Sequence, residues 1–175
     1  MSWLNSVNDI LQRYSAQMGG TTTPPSTEDA HEDFQEVASA APPDVLANGI
    51  SQMFRSDQTP AFSEMVSNLF SQSDPNQRAG LLSNLLGSIS PGALAGIPGL
   101  AGLAGSMGGG PVSPQQANQI SPEQVQQLAA HAEKQDPGIV DRVSGFYAKH
   151  PGLMKAVGGM ALTIALKHIN RSRAA

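Results

Sequence analysis

The chain has no cysteine among its 175 residues, so it can build neither a disulfide framework nor a thiolate metal site. Secretion is therefore unsupported. Aromatic residues make up only 5%, and Trp3 is the single tryptophan. Apolar content is 39%, the low end for a globular chain. No basic n-region opens the sequence, and Asn5, Asn8, Asp9 and Arg13 interrupt any apolar core there. That pattern excludes a signal peptide. Position 2 is Ser and cysteine is absent, so no lipidation motif is present. The uncharged run 156–166 has 11 residues, against the roughly 20 that a spanning helix needs. These absences point to a cytoplasmic protein.

Charge is missing in places too. Residues 79–122 carry none, and no acid follows Asp141. Residues 1–110 hold ten acids and three bases, whereas residues 111–175 hold four acids and seven bases. The C-terminus is thus basic, through Lys149, Lys155, Lys167, Arg171 and Arg173. A basic helix end complements the macrodipole, or meets an anionic surface.

Catalytic patterns are also lacking. No Gly-x-Ser-x-Gly elbow occurs. Gly108, Gly109 and Gly110 precede no Lys-Ser/Thr, so they do not form a phosphate loop. Glu28 and His31 have the Glu-x-x-His spacing of di-iron bundles, but the motif occurs once where two are required. His131 and Glu133, two apart, do not share a helix face. His150 and His168 read as helix-end groups. We expect no enzyme, cofactor or metal.

What is present is helical cadence. Phe62, Met65, Val66, Leu69 and Phe70 form one stripe of period 3.6, as do Leu81, Leu82, Leu85, Leu86 and Ile89. Thr59-Pro60 and Asp74-Pro75 read as cap and first residue of these two helices. Gln77 can close a capping box on Asp74, Gln116 on Ser113 and Gln124 on Ser121. The short break at 71–73 predicts an antiparallel hairpin. Residues 136–169 echo 59–89, either by duplication or because two hairpins obey the same capping rules. The expected fold is all-α, with about eight short helices, most opening on proline.

Six regions follow. Residues 1–18 form an amphipathic helix with Trp3, Leu4, Val7, Ile10, Leu11, Tyr14 and Met18 on one face. Residues 19–27 are a linker by composition, and 28–90 a first helical region in which Thr27 caps and Gly49 weakens a helix. Residues 91–120 are a Gly/Ala/Pro-rich apolar connector that partly packs on the helices. Residues 121–170 are a second helical region ending in a near-wholly apolar helix from Pro151 to about residue 170. Residues 171–175 are a basic tail.

The expected function is a non-enzymatic interaction or self-association module, with a second copy or a protein as partner. Its candidate surface is Trp3, Leu4, Val7, Leu11, Val157, Leu162 and Leu166. The alternative is a peripheral membrane protein held by the 1–18 arm and the basic tail. Nucleic acid is not expected as a partner.

Overall fold

The computed structural model describes residues 5, 7–10, 12–13, 26–102 and 110–174, without the side chains of 173 and 174. Within them the chain is all-α, with no strand. Helices run Thr27–Ala40, Pro43–Phe54, Phe62–Gln72, Pro75–Leu86, Pro91–Ala95, Pro114–Asn118, Pro122–Gln135, Ile139–Ala148 and Gly159–Ala174, with a 3-10 turn at Pro151–Ala156. Residues 7–10 and 12–13 are helical as well.

The chain divides into two units. One comprises Met1–Thr59 and Ser144–Ala175, and the other Pro60–Val143. The first unit is therefore discontinuous in sequence.

In the first unit the Gly159–Ala174 helix packs chiefly on Pro43–Phe54 and secondly on Thr27–Ala40. Its buried stripe is Ala161, Leu162, Ala165, Leu166 and Ile169. Pro43–Phe54 answers with Leu46, Gly49, Ile50, Met53 and Phe54. Each large apolar side chain removed from water stabilises by about 1.5–3 kcal/mol. Gly49 lets the two backbones close: a Cβ there would lie 2.5 Å from Ile169 Cγ1 and 2.9 Å from the Ala165 carbonyl oxygen.

The single helix expected from Pro151 is in fact broken. The chain takes a 3-10 turn, Val157 is extended, and the α-helix starts at Gly159. Val157 and the Gly158-Gly159 pair are poor helix formers, so the break falls where propensity is lowest. Gly159 also sits against Thr27, whose Cα would be 3.0 Å from an added Cβ.

In the second unit Phe62–Gln72 and Pro75–Leu86 meet only lightly. The expected hairpin is corrected: the first packs mainly on Pro122–Gln135, the second mainly on Pro114–Asn118 and less on Pro122–Gln135. Their stripes thus find partners supplied from later in the chain. Arg78 fixes the turn between the two helices. It donates to the carbonyls of Phe70 and Ser71 at 3.1 Å each, and its guanidinium lies 5.2 Å from the Phe70 ring centroid.

Capping follows the sequence closely, with two exceptions. Boxes form at Asp74/Gln77, Ser113/Gln116 and Ser121/Gln124. In the last, the backbone N–H of Glu123 and then the Ser121 hydroxyl hold the Glu123 carboxyl below its usual range. Thr27, however, is not a cap. Ser26 takes that role, accepting the Asp29 N–H at 3.1 Å and donating to the Asp29 carboxylate at 2.6 Å. Thr59 is not a cap either. Its hydroxyl turns back to donate to Met53 and Ser56 carbonyls at 2.8 and 2.9 Å. It closes the preceding helix, and Phe62–Gln72 begins after Ala61 with no side-chain cap.

Residues 91–102 and 110–120 of the connector are placed by a few apolar anchors. Leu94, Ile97, Leu100, Val112, Ala117 and Ile120 are buried. The Val112 N–H donates to Ser83 Oγ at 3.2 Å. Gly99 has φ +82, a left-handed backbone that glycine adopts freely. Its neighbour Pro98 accepts a hydrogen bond from Gln124 Nε2 at 3.4 Å.

Candidate functional site

The candidate interaction residues divide into three groups. Trp3, Leu4 and Leu11 lie outside the described residues. Val7 is buried, 1% exposed, with Ile10 three residues on at 3%. That spacing is one helix face, and Asn8, Asp9, Gln12 and Arg13 on the other positions are exposed. Val157, Leu162 and Leu166 are buried at 4%, 0% and 0%. Their apolar stripe, read as a surface from sequence, is occupied within the chain by helix packing.

The arm carries one polar contact to the body of the unit. Arg13 Nη2 lies 3.4 Å from Asp33 Oδ1 on the Thr27–Ala40 helix. Glu28, Asp29, Glu32 and Glu36 of that helix are exposed, while Ala30, Phe34 and Val37 point inward. The acids gather in the first turns, where the macrodipole favours them. An exposed ion pair of this kind contributes about 0–1 kcal/mol. It orients the arm more than it holds it.

Exposed apolar surface is sparse. Met160 is the large hydrophobic side chain left open among the described residues, at 67%. A second kind of surface lies in the other unit. Pro91, Gly92, Ala95, Gly96, Pro98, Gly99, Ala101 and Gly102 are exposed. They are small and uncharged, and they ride on Leu94, Ile97 and Leu100 beneath.

The titratable groups are scattered. The Nδ1 of His31 is buried without a hydrogen-bond partner, while Glu28 is exposed to solvent. No group of three or more His, Asp or Glu able to hold a metal occurs among the described residues. His131 is exposed. The His150 ring lies 4.8 Å from the Phe146 ring, tilted 49°. Burial, then the Arg171 and Lys167 charges, hold the His168 imidazole below its usual value. In the basic region Lys149, Lys155 and Arg171 are exposed, and Lys167 is half-buried.

Sequence reasoning missed Tyr147. Its hydroxyl is fully buried with no hydrogen-bond partner. The ring makes an edge-on contact with Phe146 at 5.4 Å and a tilted one with Phe54 at 6.3 Å. Burial drives its phenol pKa far upward. The only available signal was its place in the 3.6-period stripe, which says nothing about the oxygen.

Among the described residues, no helix is long and apolar enough to cross a membrane. No protein-family model, curated protein or solved structure matches this chain.

Proposed function

We propose that the chain is a non-enzymatic helical module that works by binding, through self-association or contact with a protein partner. The observation that supports this is the exposed, charge-free surface of residues 91–102. Twelve consecutive residues there contain no charged or hydrogen-bonding side chain. Three buried side chains, Leu94, Ile97 and Leu100, fix the segment in place. Small side chains let another backbone approach closely, and no charge has to be desolvated when it does. Met160 offers an apolar contact in the other unit.

Sedimentation equilibrium over a wide concentration range tests the reading, with a pull-down from native lysate beside it. The expected outcome is association that Ala95→Lys or Ala101→Glu weakens at least about tenfold, or about 1.4 kcal/mol. Both positions are exposed, so folding should survive. A strict monomer that captures no partner would sink the idea.

The membrane reading requires the arm to present its apolar face to lipid. With Val7 and Ile10 buried, the arm would first have to leave the body of the chain. Flotation with anionic liposomes at low salt tests this. Protein that stays wholly in the unfloated fraction ends it.

A further inference from the structure

The N-terminal arm is held by few described contacts and joined by a long tether. Val7 and Ile10 are buried, and Arg13 meets Asp33 at 3.4 Å. Twelve residues, 14–25, separate Arg13 from Ser26. Fully extended, that stretch reaches roughly 45 Å. Residues 19–27 offer no apolar side chain except prolines to anchor one path. The receiving helix is rimmed by acids, through Glu28, Asp29, Glu32 and Glu36. Such a rim suits a helix carrying Arg13 and repels an anionic bilayer.

We infer that the surface burying Val7 and Ile10 also docks the arm of a second copy, so that two chains exchange arms. The inference rests on the self-association reading and names its partner and contact. An exchanged arm makes the same contacts as its own, so exchange loses none of them. The balance is then set by concentration. A short tether holds its own arm at an effective concentration of about millimolar. Dilute protein therefore stays closed on itself, and concentrated protein exchanges. Shortening the tether removes the closed form and leaves the exchanged one.

The absence of cysteine makes the test clean. One full-length copy carries Arg13→Cys and a differently tagged copy carries Asp33→Cys. They are mixed from micromolar to millimolar and treated with a short bis-maleimide. A link between the two tags can only join two chains. The expected result is a cross-linked heterodimer that rises with concentration. It should fall at least tenfold when Val7→Asp is added to the first copy, and rise when residues 19–25 are deleted. A single chain bearing both cysteines reports whether the arm docks at all. If that chain links internally while the mixture never links, exchange is overturned. If even the internal link fails, the docked arm and the inference fall together. Sedimentation of the same samples separates the two proposals. A dimer without a cross-link overturns exchange and leaves self-association standing, whereas a monomer without one overturns both.

Discussion

Gly49 and Ile169 touch where two helices cross: a methyl group at Gly49 would meet Ile169 Cγ1 at 2.5 Å. In an isolated helix Gly→Ala stabilises by about 1 kcal/mol. Here the sign reverses, because the Ala165 backbone oxygen stands 2.9 Å from the same point and cannot rotate away. Gly49→Ala should destabilise by about 1–3 kcal/mol, as overpacking does. Thermal melts would show it. Ile169→Ala in the same background should recover part of the loss, which a double-mutant cycle can measure. A melting temperature that rises for Gly49→Ala would refute the close crossing.

Tyr147→Phe removes a buried oxygen that has no partner. Such a hydroxyl costs about 1–3 kcal/mol when left unpaired, so the variant should be as stable as the parent or more so. The effect on alkaline stability has a definite sign. Burial raises the folded-state pKa above the ordinary tyrosine value of 10.0. The neutral phenol's contribution is thus full below about pH 10 and declines as pH rises from there toward the folded-state pKa. Urea melts above pH 10 should show a smaller loss for Tyr147→Phe than for the parent.

His168 works in the opposite direction. Its folded-state pKa is lowered from 6.5 by burial, Arg171 and Lys167. The unfolded chain binds the proton more readily, so stability is full above about pH 6.5 and declines as pH falls below it. His168→Gln should flatten that decline. An unchanged acid profile would show that His168 does not carry it.

The capping boxes give a local test. Ser121→Ala and Asp74→Ala should each cost about 1 kcal/mol. Thr59→Val should instead loosen the end of Pro43–Phe54, where its hydroxyl bonds Met53 and Ser56. Hydrogen exchange read residue by residue distinguishes these. Faster exchange confined to Phe62–Gln72 in Thr59→Val would contradict the assignment.

Leu162 was a candidate for the surface but lies at 0% exposure in the first unit. Leu162→Asp should therefore unfold that unit rather than merely block binding, since it buries an unpaired charge. Circular dichroism should show lost helicity. A folded variant would mean that the helix has another place to put this face.

Helix existence was legible because period and caps are local signals. Asp74-Pro75 with Gln77, and Ser121-Pro122 with Gln124, name their own helices. What each stripe faces was not legible, because apolarity alone does not say whether the covering surface comes from the same chain. Val157, Leu162 and Leu166 read as surface for that reason. Gly49 read as a weak point because its partner, Ile169, is distant in sequence. Thr59 and Ser26 were misjudged because two hydroxyls stood near each helix end, and spacing could not choose between them.

The discontinuity of the first unit also bears on synthesis. Pro43–Phe54 is made long before Gly159–Ala174, the helix that covers it. At about 5–20 residues per second, the ribosome leaves Leu46, Ile50, Met53 and Phe54 without that cover for several seconds. The Pro60–Val143 unit is complete in the meantime and can fold as it emerges. Nascent chains stalled before residue 159 should therefore recruit holding chaperones through their N-terminal third, and lose them once that helix has been added.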